Sequence, residues 1–338
     1  MKVLSFVIPA YNSEAFLRSC IDSMLVPAVL PQLEILVVND GSTDTTADIA
    51  REYCSAYPDT VRLLEQENRG HGGALNTGCA AARGNYLKVI DADDTVDTES
   101  LGEFVRLLAG ESADVVLTPH RTWNISTGQW KDFAIPRESQ GKALTLGEVL
   151  AQWQRFASAM TFHGITYRRE FYQNRGIQLP EHVFYEDFAY AAYPCCHADS
   201  VKALPVFVYH YRIGDKNQSV SEQNQLRQLH HVEKVLSEML CHYAALTRQS
   251  SAAYAARKCH QLMLSYFTTC LLVCPDRKLG RKKAAALMAM VKEKAEDIYR
   301  MTRTKYRIFR LLNRLHVSKA MWDRFLESKF YHSLRKGN

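Results

Sequence analysis

The stretch Val89-Ile90-Asp91-Ala92-Asp93-Asp94 joins an apolar strand end to three carboxylates within four positions. Like charges at the edge of a core repel one another, so a bound cation is the simplest reason to gather them. Their hard oxygen atoms suit Mg²⁺ or Mn²⁺, and Mg²⁺ is commonly held by one or two carboxylates together with substrate phosphates. An acidic, solvated turn would look the same in isolation, so the surrounding sequence has to decide between the two.

The sequence up to this stretch alternates between short apolar runs and helical segments. The runs predict four strands, at about residues 4–8, 34–38, 61–65 and 86–90. Polar or glycine-rich turns follow them at residues 9–12, 39–42, 68–73 and 91–94. Asn12 or Ser13 is expected to cap the first helix. The alternation predicts an α/β fold, with a mostly parallel sheet and helices on both faces, that binds its ligand past the carboxyl ends of the strands.

The third turn is rich in glycine, with Gly70-His71-Gly72-Gly73 ahead of a helix expected over residues 74–83. Backbone N–H groups in such a turn, and the helix N-terminus behind it, suit phosphate oxygens. With carboxylates at the same sheet edge, this turn indicates a nucleotide diphosphate. No Gly-Lys-Ser/Thr follows it, and no Gly-x-Gly-x-x-Gly follows the first strand, so a P-loop and a dinucleotide site are not expected.

The second half of the chain contains a carboxylate pair and then a run of helices. Glu186-Asp187 lies among aromatic residues at a helix start, where it suits either a general base or a helix N-terminus. Residues 119–142 are predicted to form a hairpin or loop over the site, and residues 222–334 five helices, over 222–247, 251–273, 279–300, 304–315 and 318–334. We therefore expect a catalytic domain over residues 1–220 and a helical, basic region over residues 221–338.

Charge and cysteine content limit the cellular context. The net charge is +6, but residues 275–338 hold 18 Lys+Arg against 6 Asp+Glu, so the rest of the chain is acidic. The basic helices suit a solvated face or an anionic membrane surface. Nucleic-acid binding is not expected, because no binding motif accompanies the charge. Nine cysteines without a Cys-x-x-Cys pair fit a reducing cytosol, and neither a signal peptide nor a spanning segment is recognised.

Several of these segments, taken together, resemble glycosyltransferase family 2, which has a GT-A fold, and in particular its members that build bacterial surface or capsular polysaccharide. The resemblance covers about residues 1–215 and lies in residues 8–12, 38–44, 68–84, 91–94 and 186–187. It implies an inverting transfer of a sugar from a nucleotide diphosphate sugar to a hydroxyl group of a glycan or lipid-linked glycan.

The resemblance implies where the donor nucleotide binds. Pro9, Ala10 and Tyr11 would line the base and ribose. Asp40 would accept the N3–H of uracil or thymine, which favours a pyrimidine dione, as in a UDP-sugar, over cytosine, whose N3 is itself an acceptor. Further donor contacts are implied for Asn12, Arg69, Gly72, Ala74, Asn76, Ala92 and Arg212.

The resemblance also implies the catalytic groups. Asp93, with Asp91 beside it and near the ribose, would hold the Mn²⁺ or Mg²⁺ that neutralises the leaving diphosphate. Asp187 would take the proton of the acceptor hydroxyl, and Glu186 would orient it or bind sugar. Arg212 would pair with the diphosphate, and the polar loop over residues 215–221 is expected to close over the donor.

Three alternatives stay open. The glycine-rich turn is similar to that of members that glycosylate polyprenyl phosphates. Asp91-Ala92-Asp93-Asp94-Thr95 also looks like the nucleophile motif of haloacid-dehalogenase-type phosphatases, although that motif normally follows the first strand of its fold. The third alternative is a binding module that keeps the nucleotide-sugar pocket but does not catalyse transfer. In the favoured interpretation the enzyme is cytoplasmic, or peripheral at the inner face of the cell membrane through its basic C-terminal helices.

Overall fold

The computed structural model describes residues 2–136, 141–215 and 222–327. They form two units, of which the first holds the residues up to Asp215 together with Thr247–Tyr254, and the second holds residues 222–246 and 255–327. The domain boundary predicted at residue 220 lies outside the described residues, as does all but the first residue of the loop expected to close over the donor. The division into residues 1–220 and 221–338 therefore stays a proposal.

The first unit is built on an α/β sheet. Its described strands are β1 Leu4–Ala10, β2 Leu33–Asp40, β3 Val61–Gln66, β4 Tyr86–Val89, β5 Thr95–Val96, β6 Val115–Leu117, β7 His120–Asn124, β8 Gln129–Phe133, β9 Ala143–Leu144, β10 Ile165–Arg168, β11 Val201–Ala203 and β12 Tyr209–Ile213. Eight of them form one sheet in the order β3-β2-β1-β4-β10-β6-β11-β9. The pairs β2–β3, β1–β2, β1–β4 and β6–β11 are parallel. The predicted fold class is confirmed.

Helices connect these strands. Those of the first unit are α1 Leu17–Met24, α2 Thr46–Ala56, α3 Gly70–Ala81, α4 Thr98–Ala109, α5 Leu146–Ala151, α6 Trp153–Phe156, α7 Arg169–Gln173 and α8 Glu186–Ala192. The chain steps outward from β1 to β3 and then returns past β1 to β4, so right-handed crossovers place α3 on the face opposite α1 and α2. Every residue of β1 and β2 is buried, as expected for strands covered on both faces.

Two predicted helix starts are wrong, and both errors fall at the sheet edge that carries the site. Asn12 and Ser13 do not cap α1, which begins at Leu17. Instead the Asn12 side chain accepts a hydrogen bond from the Thr43 N–H (2.8 Å), and the Ser13 N–H donates to Thr46 Oγ1 (2.7 Å). These bonds join the turns after β1 and β2. The glycine-rich turn is in fact the first turn of α3, which begins at residue 70 instead of residue 74.

A second, smaller sheet has the order β5-β12-β7-β8. The hairpin predicted within residues 119–142 is confirmed over β7 and β8, and residues 137–140 lie outside the described residues. Thr95 of β5 follows the acidic stretch directly and pairs with His210 of β12. The smaller sheet therefore lies beside the three carboxylates.

The second unit is helical over its described residues. Its helices are α9 Glu222–Arg227, α10 Leu229–Ala244, the later part of α11 Gln249–Thr268, α12 Arg277–Lys294, α13 Glu296–Arg314 and α14 Lys319–Glu327, with a short π-helix at Thr269–Val273. The helix break predicted at residues 301–303 is wrong. The chain breaks at Ala295, whose backbone is extended (φ −155°, ψ 84°), and α13 is continuous. None of the described helices is long and apolar enough to cross a bilayer.

Lys88 of β4 is fully buried directly ahead of the acidic stretch, and it gives a pH-dependent test of the core. Its Nζ donates to the carbonyls of His163 (2.8 Å) and Ile165 (3.2 Å), and burial lowers the pKa of Lys88 to about 7 from 10.5. Between pH 7 and pH 10.5, Lys88 is protonated in the unfolded chain but largely neutral in the folded chain, so the free energy of unfolding should rise with pH. We expect the difference in unfolding free energy between wild type and Lys88→Met to shift in favour of wild type from pH 7 to pH 9, measured by urea denaturation. A difference that stays constant would contradict the lowered pKa.

Candidate functional site

Three carboxylates meet at the end of β4. Single oxygen atoms of Asp91, Asp93 and Asp94 lie within 4.8 Å of one another. Asp94 is buried and already paired, because Tyr209 Oη donates to one of its oxygens (2.6 Å) and the Arg212 N–H donates to the other (2.7 Å). Burial, together with the charges of Asp91 and Asp93, raises the pKa of Asp94 well above its ordinary value. Asp94 therefore fixes β12 beside the other two carboxylates.

His71, on the first turn of α3, connects two parts of the site. Its Nε2 lies 2.9 Å from Asp91 Oδ1, and its Nδ1 lies 2.6 Å from Glu186 Oε1. Burial alone would lower the pKa of His71, but the carboxylates of Glu186 and Asp91 outweigh it and raise the pKa well above 6.5. Nε2 is hydrogen-bonded to Asp91, whereas Nδ1 meets Glu186 as a close ion-pair contact outside hydrogen-bond geometry. His71 thus holds the first carboxylate of the acidic stretch and the first carboxylate of the later pair in fixed positions.

A cavity of about 390 Å³ opens next to His71. Five of the residues predicted to contact the donor line it, namely Pro9, Ala10, Tyr11, Asp40 and Ala74. Its other walls come from residues 68, 70, 71 and 182–184. Asp40 is buried at the end of β2, where Oδ1 accepts bonds from the Gln66 side chain (2.7 Å) and the Arg69 N–H (2.8 Å). Tyr11 and Phe184 leave their rings exposed, where they can stack on a planar base.

Glu186 and Asp187 form the first turn of α8, after Tyr185 in a left-handed conformation (φ 73°). Glu186 is buried, and among the described residues its Oε2 has no hydrogen-bond partner. Asp187 is half-buried. Burial raises the pKa of Tyr211, and the carboxylates of Asp94, Asp91, Asp187 and Asp93 raise it further. The charges of Asp187 and of the acidic stretch therefore act on the same tyrosine.

Three predicted donor contacts have partners within the protein. Arg69 pairs with Glu181 through two nitrogens, and Asn76 holds the backbone of Leu179 by bonds of 2.8 and 3.0 Å. Arg212 lies over the ring of Phe16, 4.6 Å from its centroid, and 3.3 Å from Asp215. Arg212 and Asp93 line a separate pocket of about 240 Å³, and neither of them lines the larger cavity. Ala92 is buried within the acidic stretch. Donor contacts for these residues, and for Asn12, stay predictions.

Gly72 is required at its position because the backbone of Pro180 packs closely against it. A Cβ atom there would lie 2.1 Å from the Pro180 carbonyl oxygen and 3.3 Å from Glu186 Cγ. We expect Gly72→Ala to lower the free energy of unfolding by about 1–3 kcal/mol, measured by denaturant titration, because the Pro180 backbone has to move. Gly102→Ala in α4 is the matched control, since nothing lies within 4 Å of its added Cβ and it should be neutral or stabilising. Equal effects of the two substitutions would contradict this packing role.

The sequence did not identify three residues that organise the site. The sequence predicts His71 only as part of the glycine-rich turn, and no motif identifies Tyr209 as a residue of the site. His163 had no signal at all, yet its ring stacks on Tyr211 at 4.2 Å and meets Tyr209 at 4.9 Å. A polar residue inside the glycine turn was the one available signal, and it did not reveal that His71 bridges two carboxylates.

A sequence model of glycosyl transferase family 2 matches residues 5–176, about half of the chain. The putative glycosyltransferase EpsH of Bacillus subtilis is 31% identical over 223 residues. That alignment covers 62% of this chain and 60% of EpsH, so the chain spans less than two thirds of this relative. The uncharacterized glycosyltransferase YibD of Escherichia coli is 45% identical over 93 residues, which cover 28% of this chain and 26% of YibD.

Solved structures have the same fold. S. aureus TarS 1–349, crystallised with UDP-GlcNAc, superposes with a TM-score of 0.64 at 19% identity, covering 94% of this chain and 93% of TarS. The mannosyltransferase PcManGT of Pyrobaculum calidifontis, in complex with GDP-Man and Mn²⁺, gives 0.53 at 16% identity, covering 96% and 88%. At these identities the likeness concerns the fold alone. With the family match over residues 5–176, this chain belongs to glycosyltransferase family 2.

Proposed function

We propose that this family 2 enzyme transfers a sugar from a UDP-sugar to a hydroxyl group of a glycan or lipid-linked glycan, with inversion at the anomeric carbon. One observation carries the proposal. The cavity at the ends of β1 and β2 adjoins the three carboxylates through His71, which also contacts Glu186, the residue before Asp187. A nucleotide in the cavity would direct its diphosphate toward Asp93 and its sugar toward Glu186 and Asp187.

The residues at the end of β4 fit a divalent cation. They offer three hard oxygen donors within 4.8 Å, which suits Mg²⁺ or Mn²⁺. Asp93 and Asp91 are the residues we propose as ligands, and Asp94, both of whose oxygens accept hydrogen bonds from β12, would support them. A bound ion would supply positive charge against the leaving diphosphate. The Mn²⁺ bound with GDP-Man in PcManGT supports the same choice of ion here.

The pair in α8 would act on the sugar and the acceptor. Asp187 takes the proton of the acceptor hydroxyl as that oxygen attacks the anomeric carbon, so no covalent intermediate forms. Glu186 is held by His71 through Oε1, which leaves its buried Oε2 to accept a hydroxyl of the donor sugar. His71 is in our proposal a positioning residue, because it acts through the two carboxylates that it contacts.

The acceptor and the cellular place are parts of the same proposal. Two relatives are named for polymers, the chondroitin synthase of Escherichia coli and a poly(ribitol-phosphate) beta-glucosyltransferase of Bacillus spizizenii, and they support a role in cell-surface polysaccharide synthesis. The nine free cysteines suit a reducing cytoplasm. A lipid-linked acceptor would place the enzyme at the inner face of the membrane, through its basic C-terminal helices.

Inversion can be tested without knowing the acceptor, because water can replace it. We expect ¹H NMR of the slow hydrolysis of an α-linked UDP-sugar with Mn²⁺ to show the β anomer as the first free sugar. Initial release of the α anomer would contradict the inverting mechanism. Release of inorganic phosphate from p-nitrophenyl phosphate, with no sugar released from any donor, would favour the phosphatase alternative.

A further inference from the structure

One face of α13 packs into the core of the second unit. The buried side chains on this helix are Ile298, Thr302, Tyr306, Phe309 and Asn313. The rings of Tyr306 and Phe309 pack on Phe267, with centroids 5.3 and 6.2 Å away, and Asn313 donates to the Leu271 carbonyl at 2.8 Å. The side chains on the opposite face of α13 are therefore not part of the core of this unit.

The opposite face nevertheless carries large apolar side chains. Met301, Ile308, Leu311 and Leu315 are exposed by 41%, 41%, 56% and 64%. Their spacing of seven, three and four residues places them along one side of the helix and its C-terminal cap. Single exposed apolar residues are ordinary, but three on adjacent turns, Ile308, Leu311 and Leu315, with Met301 on the same side, indicate an interaction surface. We refer to these four residues as the outer apolar row.

Arginines flank the outer apolar row. Arg300, Arg307 and Arg314 are seven residues apart, so they form a second row on the adjacent side of the helix. From Ile298 to Trp322 the sequence contains seven Lys+Arg and no Asp or Glu. Arg300 pairs with Glu296 at 3.0 Å, whereas Arg307 and Arg314 make no ion pair with any residue that the structure describes. The positive charge beside the apolar row is thus largely uncompensated.

These two rows select one kind of partner. A purely solvated face would not need four large apolar side chains, and a nucleic acid would use the arginines alone. A second copy of the chain would bring two arginine rows together, which repel. An apolar row next to a row of arginines suits a helix that lies in the plane of an anionic membrane surface.

We propose that α13 docks on an anionic lipid bilayer. The outer apolar row enters the boundary between headgroups and acyl chains, and the arginines contact the lipid phosphates. This inference deepens the membrane association within the proposed function by naming its surface and its partner. It stands on the second unit alone and is independent of the donor chemistry.

The test is co-sedimentation of the full chain with vesicles of phosphatidylcholine, with and without phosphatidylglycerol. We expect binding only to the vesicles that contain phosphatidylglycerol, and weaker binding at high salt. The double variant Arg307→Gln/Arg314→Gln should lower the partition coefficient about 25-fold, at roughly fivefold per arginine. Leu311→Ser/Leu315→Ser should lower it as well. These side chains are exposed, so circular dichroism should show an unchanged fold.

The matched control is Arg18→Gln/Arg106→Gln, which removes the same charge from exposed positions of the first unit and should leave vesicle binding unchanged. An equal loss in this control, or full binding by either α13 variant, would overturn the proposal. A concentration-dependent dimer that Leu311→Ser/Leu315→Ser abolishes would assign the face to a second copy instead. Donor hydrolysis, measured on the same variants, should stay at the wild-type rate, so failure of the docking proposal and failure of the proposed function are distinguishable.

Discussion

Asp187→Asn is expected to lower kcat for transfer to a hydroxyl acceptor by about 10²–10⁴-fold, while donor binding stays close to wild type. The asparagine keeps the size of the side chain but cannot accept the proton that the acceptor hydroxyl loses. Steady-state transfer kinetics, with donor binding by calorimetry, measure the two effects separately. Asp199→Asn is the control, because Asp199 is an exposed carboxylate of the same unit, paired with Arg248 at 2.7 Å.

The size of the loss also separates the remaining alternatives. A polyprenyl phosphate acceptor is already anionic and needs little help from a base, so a mild effect of Asp187→Asn would favour that acceptor class. A binding module without catalysis would show no transfer in either protein. An unchanged kcat with a hydroxyl acceptor would contradict the role of Asp187.

Asp93→Ala is expected to weaken Mn²⁺-dependent binding of a UDP-sugar by about 100-fold or more, because it would remove a proposed ligand of an ion worth several kcal/mol at the diphosphate. The residual binding should no longer respond to EDTA. Calorimetric titration of the donor, with Mn²⁺ and then with EDTA, measures both properties.

Asp94→Asn provides the comparison within the same cluster. The carboxylate of Asp94 accepts hydrogen bonds from Tyr209 and the Arg212 backbone, so its loss should lower the free energy of unfolding by about 1–3 kcal/mol. The dependence of donor binding on metal should change little. Metal-dependent donor binding that survives in Asp93→Ala but disappears in Asp94→Asn would reverse the assignment.

The sequence predicts the sheet and its edge because local patterns determine both. Short apolar runs that alternate with helical segments predict parallel strands, and the polar turns after such strands have to meet at one edge. Asp40 and Asp91 are therefore placed near one cavity by topology alone. The same logic cannot place Tyr209, because its bond to Asp94 joins residues 115 positions apart in the chain.

The errors have a common physical cause, which is competition from tertiary contacts. Asn12 and Ser13 are good helix caps, but the turn after β2 uses the Asn12 side chain and the Ser13 N–H. The glycines at residues 70–73 predict a turn, yet Gly72 lies in the helix α3. Because Gly72 has no Cβ atom, α3 can pack closely against Pro180. Neither competitor lies close in sequence, so no local pattern reveals it.

The most direct test of the central claim is calorimetric binding of UDP-, dTDP-, GDP- and CDP-sugars to the purified chain, with Mn²⁺ and then with EDTA. We predict binding that requires the metal and is confined to uridine or thymidine donors, because in our proposal Asp40 accepts the N3–H of the base. Binding of CDP-sugars as tight as that of UDP-sugars would contradict the role of Asp40. If no nucleotide sugar binds with or without metal, the cavity beside the three carboxylates is not a donor site.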